Sequence, residues 1–197
     1  MRISIGMLPA VLALAACGQR PFDTGTTPVI AAARDGRPGA IRALITAGAD
    51  PNLPAGVNGW PPLMHAVHKD RKLAVAALLD SGADPNQRSA DGSTALIMAA
   101  GYGATGMVRL LLEHGADPRI ENFAGISALT MAVSGVADID NFTLGSCQSE
   151  TVKALLDAAP DLKVSANVWG RIAGTIGCAE SVKALDGPGQ ARTWRRP

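Results

Sequence analysis

The sequence predicts an all-α repeat solenoid of helix-turn-helix-loop units, and three observations carry that expectation. First, "ITAGADPNL" from Ile45, "LDSGADPNQ" from Leu79 and "LEHGADPRI" from Leu112 are nearly the same words. Their glycines, Gly48, Gly82 and Gly115, stand 34 and then 33 residues apart, and a period of that size means a repeat architecture. Second, aligning on those glycines brings "TPVIAAARDG" from Thr27, "PPLMHAVHKD" from Pro61, "TALIMAAGYG" from Thr94 and "SALTMAVSGV" from Ser127 into register, with alanines at Ala32, Ala66, Ala99 and Ala132. Third, Ile41, Val75 and Val108 each follow the alanine by 9 residues, with Leu44, Leu78 and Leu111 beyond them. Apolar residues at such steps form a stripe along a helix.

Each element of the unit has its own local cause. Thr27, Thr94 and Ser127 can accept hydrogen bonds from the free amides of a first helical turn, and Pro28 and Pro62 suit the first helical position, where their missing amide would have no partner. Gly36 and Gly103 fall in the turn between the two helices. Gly48, Gly82 and Gly115 stop the second helix in a left-handed conformation that costs glycine little. Asp and Pro then force the chain off the helix axis, so "GADP" is a structural word. A fourth close, "DAAPDLK" from Asp157, lacks the glycine. The fourth unit is also long: Ala132 to Val152 is 20 residues where Ala99 to Val108 is 9, an insertion of 11 at about 135–148. A degenerate fifth unit in "RIAGTIGCAESVKALDG" serves as a cap, because end repeats bury one side only. The repeat domain is thus expected over 26–186, followed by a solvated tail over 187–197.

The chain has 197 residues, 47% of them apolar, and 18 basic against 17 acidic groups. That is too apolar for a disordered chain, and its near-zero net charge gives no field to recruit nucleic acid. Residues 1–16 have one positive group, an apolar stretch of 14 residues from Ile3 to Ala16, and small residues at its end, which is the layout of an export signal. As a helix the stretch would reach about 21 Å, short of the roughly 30 Å hydrocarbon core. Its end, Leu14-Ala15-Ala16-Cys17, resembles the bacterial lipobox, in which the cysteine thiol receives a diacylglyceryl group and becomes the acylated first residue. Two or more acyl chains hold a protein on a membrane where one is marginal. The resemblance implies a mature chain starting at Cys17, a short linker over 17–25 and, with Gly18 rather than Asp after the cysteine, an outer-membrane address facing the periplasm.

Over about residues 25–185 the sequence resembles the ankyrin-repeat family, whose unit opens on a Thr-Pro-Leu-His-type motif and closes on Gly-Ala-Asp. The resemblance implies a non-catalytic module holding a protein partner on a concave face of first helices and loop tips. Residues just before the capping Thr, and just after the small residues of the first helix, face that side. They are Arg34 and Asp35 in the first unit, Asn58, Trp60, His68 and Lys69 in the second, Asp91, Ser93 and Tyr102 in the third, and Phe123 and Ile126 in the fourth. Trp60 stands out because aromatics supply large desolvated contacts; the alternative is a ring packed on its own loop, stiffened by Pro61 and Pro62. The family position of His65 implies hydrogen bonding between repeats.

Chemistry is sparse. "GYGATG" from Gly101 matches the dinucleotide fingerprint G-x-G-x-x-G, but that motif must follow a strand, and here it follows a helix. His65, His68 and Asp70 form at best an incomplete metal set; His114 lies at a helix end, where a positive ring is favoured. Asp138, Asp140 and Asn141 lack the glycine and glutamate of a calcium loop. No serine or cysteine has a matching base at a recognisable spacing, so no enzyme, metal or cofactor is expected. With Cys17 lipidated, Cys147 and Cys178 remain in a compartment that permits disulfides. Adjacent repeats are about 10 Å apart, so a bridge requires the insertion to carry Cys147 across; the other reading is two free thiols. Two partner roles follow from the address, an immunity protein against a periplasmic toxin or an accessory factor of an envelope enzyme. A purely structural envelope tether is the alternative.

Overall fold

A computed structural model describes residues 26–56, 58–134 and 148–163. Within them the chain forms eight helices in four pairs: α1 (Pro28–Arg34) with α2 (Pro38–Thr46), α3 (Pro62–His68) with α4 (Lys72–Asp80), α5 (Ala95–Gly101) with α6 (Thr105–Glu113), and α7 (Ala128–Ser134) with α8 (Ser149–Ala158). The first helices α1, α3, α5 and α7 pack in one row and the second helices α2, α4, α6 and α8 in another. The all-α repeat solenoid expected from the spacing is the observed fold.

Helices of 7 to 10 residues are too short to hold themselves in water, so their stability comes from packing. The recurring alanines Ala32, Ala66, Ala99 and Ala132 are buried, letting the first helices approach closely. Ile41, Val75, Val108 and Val152 are fully buried in the corresponding place on the second helices, with Leu78, Leu111 and Leu155 beside them. Leu44 is only partly buried: among the described residues no unit precedes the first pair, so this column is covered on one side.

The expected caps are present. Thr27, Thr94 and Ser127 accept the amides of Ile30, Ile97 and Thr130 at 3.2, 3.4 and 3.1 Å. The second helices of the first three units end on Gly48, Gly82 and Gly115 at φ of 95, 90 and 86°. The next amide returns to the helix, as in Ala83 N to Leu78 O at 2.9 Å, so two orphan carbonyls are satisfied at each stop. Without that glycine, α8 ends differently, on Ala159 at φ −148° and ψ 90°.

Beyond each second helix the chain projects as a finger before the next first helix. Isolated bridges close two fingers, Ala55 with Trp60 and Glu121 with Ser127. The fingers stack through main-chain bonds, Ala90 N to Asn58 O at 3.0 Å and Phe123 N to Asp91 O at 3.1 Å. Cys17, Cys147 and Cys178, the 1–16 leader, the 17–25 linker, all but Gln148 of the insertion, the fifth unit and the tail lie outside the described residues. So do Asp138, Asp140 and Asn141. Among the described residues no helix is long and apolar enough to cross a membrane.

Candidate functional site

The site is built where the base of the finger between α2 and α3 meets the ends of the first helices. Gly56 and Gly59 turn the finger at φ of 78 and 58°, and Ala55 N donates to Trp60 O at 3.2 Å, which sets the direction of the Trp60 side chain. Pro61 then caps α3 and Pro62 starts it. Trp60 packs against the core and lies along α3 as well as its own loop. Its ring meets His65 edge-on at 5.5 Å and His68 at 5.2 Å between centroids. His68 Nδ1 shares a hydrogen bond of 2.7 Å with the hydroxyl of Tyr102 at the end of α5, and the two rings lie 6.0 Å apart. Four rings contributed by two consecutive units therefore form one continuous cluster.

The electrostatics of the cluster follow from its neighbours. Burial, reinforced by the positive charges of Arg34 and Lys69, lowers the His65 pKa to about 4, so its ring is neutral at pH 7. His65 differs from the expectation: among the described residues its contact is the Trp60 ring, not a hydrogen bond to a neighbouring repeat. Arg34 and Lys69 are exposed, and the Arg71 side chain ties the edge together, its Nε donating to Arg34 O at 3.1 Å.

The finger residues divide by task. Asp91 accepts from Ser89 Oγ and from both the amide and hydroxyl of Ser93. Burial works to raise its pKa, but these hydrogen bonds outweigh it and hold the carboxyl below the usual range. Ser93 also accepts from Asn122 Nδ2 at 3.2 Å. Both side chains thus shape their own finger, a task the sequence did not disclose. Phe123 is 77% exposed, with its ring against Gly92, where an added Cβ would stand 2.9 Å from it. Ile126 is half-buried and Asn58 exposed. Asp35 is paired with Arg37 at 2.9 Å. The structure therefore brings Trp60, His68 and Tyr102 into contact, leaves Arg34 and Lys69 exposed at the ends of α1 and α3, and places Asp91, Ser93 and Phe123 on the two following fingers.

Other candidates are placed elsewhere. The "GYGATG" run is the end of α5, a turn at Gly103 with φ 67° and the start of α6. Among the described residues no three His, Cys, Asp or Glu side chains converge as a metal would need. His114 caps α6, its Nδ1 at 2.9 Å from Leu110 O and its Nε2 at 3.4 Å from Asp80.

A stack of helix pairs with projecting fingers, repeated at a fixed period, defines an α-helical repeat module. A family model described as ankyrin repeats (3 copies) matches residues 3–89 and 74–167. The chain belongs to the ankyrin-repeat family. Among curated proteins none matches it significantly.

Proposed function

We propose that the protein is a lipid-anchored, periplasm-facing ankyrin-repeat module that holds one protein partner on the face of its first helices and fingers. The observation that supports this most is the Trp60–His68–Tyr102 cluster. A large aromatic ring held by its neighbours costs little further ordering on binding, and such rings dominate many interfaces. The anchor rests on Leu14-Ala15-Ala16-Cys17, and a bridge between Cys147 and Cys178 completes the exported form. In that compartment the partner is either a toxin that the protein neutralises or a resident envelope enzyme that it assists. A purely structural tether would leave the cluster without a task.

The test is partner capture from detergent-solubilised membranes by the full chain and by its Trp60→Ala variant. The expected result is a loss of about 2 kcal/mol in binding free energy, measured on folded variant well below its melting temperature, with a moderate fall in thermal stability from the lost packing of the half-buried ring. Full capture by a variant whose melting temperature has collapsed would make Trp60 a packing residue instead.

A further inference from the structure

The ends of the first helices carry more positive than negative charge around the aromatic cluster. Residues 34–37 and 69–71 contribute Arg34, Arg37, Lys69 and Arg71 against Asp35 and Asp70. Asp35 is already engaged by Arg37. Asp70 turns the chain at φ 53° directly after Lys69. The ion pairs formed among the described residues leave both the Arg34 guanidinium and the Lys69 ammonium out. Lys69 directly follows His68 of the cluster at the end of α3. Arg34 ends α1, which packs on α3, and Arg34 O accepts from Arg71 Nε at 3.1 Å; both charges oppose protonation of His65. Two exposed cations thus stand at the ends of the adjacent first helices α1 and α3 that carry the aromatic cluster's edge, and among the described residues neither is engaged by a carboxylate.

Resting on the reading of this face as the binding face, we propose that it receives an acidic segment of the partner protein. The segment's carboxylates lie on Arg34 and Lys69, and one of its apolar side chains lies against Trp60. Cations left unpaired at an edge gain most from a partner of opposite charge and penalise a basic one, which gives selectivity as well as attraction. The exposed Tyr102 ring lengthens the platform on the side of the third unit, its hydroxyl held by His68.

The experiment uses the full chain in detergent and three fluorescein-labelled decapeptides, each with one central leucine, flanked by glutamate, glutamine or lysine. Anisotropy should show binding of the glutamate probe, weakened about tenfold by Arg34→Glu with Lys69→Glu and about as much by raising salt from about 0.05 to about 0.5 M. Both positions are exposed, so circular dichroism should be unchanged, and Lys69→Arg should retain binding. Equal binding of the lysine probe would overturn the proposal, as would glutamate binding that survives the double reversal or is displaced by self-association of the chain. Capture of the natural partner separates the two levels. If Trp60→Ala abolishes capture and the double reversal does not, the acidic segment is wrong and the binding face stands. If neither variant affects capture, the face itself is wrong.

Discussion

His65 shows how a single side chain acquires properties that its type does not have. Alone it would titrate near 6.5; under Trp60 and beside Arg34 and Lys69 its pKa falls to about 4. The folded state then binds fewer protons than the unfolded chain between those values. The stabilisation is complete above pH 6.5 and is lost as pH falls through 4. Because the ring is partly solvated, screening reduces the full linkage value, and a loss of about 1–2 kcal/mol is expected across that window. Thermal melts between about pH 7 and about pH 4 should show it, and His65→Gln should flatten the curve. An unchanged acid slope in the variant would contradict the assignment. The depressed carboxyls of Asp91 and Asp161 start from 3.8, so they act below this window. The histidine was visible in the sequence; its lowered pKa was not, because its burial is set by packing and Arg34 comes from the preceding unit.

At the scale of elements, the repeats are joined by devices that the "GADP" words only half reveal. Asn52 and Asn86, the residues after "GADP", reach into the following unit. Asn86 Oδ1 accepts Asp117 N at 2.7 Å and its Nδ2 donates to Gly115 O at 3.0 Å, as Asn52 does with Asp84 N at 2.8 Å. In the third word this place is Arg119, and the link becomes a two-pronged ion pair with Asp161, at 2.6 and 3.1 Å. Asn86→Ala should cost about 1–2 kcal/mol, since two main-chain groups lose their partner. Arg119→Ala should lower the melting temperature less, the pair being exposed; a larger fall for Arg119→Ala would reverse this ranking. A second device joins the turn between the two helices of one unit to the start of the second helix in the next. Arg71 covers Gly36 and Gln148 covers Gly103, each so closely that a Cβ on the glycine would clash, and each bonds a carbonyl of the covered turn. Between them the left-handed place is Asp70, and the residue opposite is the small Ala104. The exchange of large for small was written in the sequence but unreadable there, because its two halves belong to different units and one is displaced by the insertion.

For the whole molecule, stability in a stack is a sum over units and their nearest-neighbour interfaces, so what lies at the two ends matters as much as the middle. The proposed anchor and bridge both belong to the ends, and one measurement reads both. Intact-mass analysis of protein purified from membranes without reductant should give a chain beginning at Cys17 with acyl groups added and the two hydrogens of the Cys147 and Cys178 thiols missing. Cys17→Ser should remove the acyl mass and the membrane fractionation while leaving the repeats folded. An unlipidated wild-type chain, or two free thiols, would sink the corresponding half. The sequence by itself determined the architecture: caps, stops and apolar columns are local signals repeated at a fixed period, and their recurrence makes each more legible than it would be once. Family register and the rarity of aromatics are how Trp60, His68 and Tyr102 were picked out as candidates. Only the tertiary structure decided that these three form one cluster with His65, that Asp91 and Ser93 brace their own finger, and that Arg34 joins the edge beside Lys69. The reason is physical. Residues about 34 apart become neighbours only when one unit stacks on the next, and the direction of a side chain across that interface is set by packing that no single unit contains.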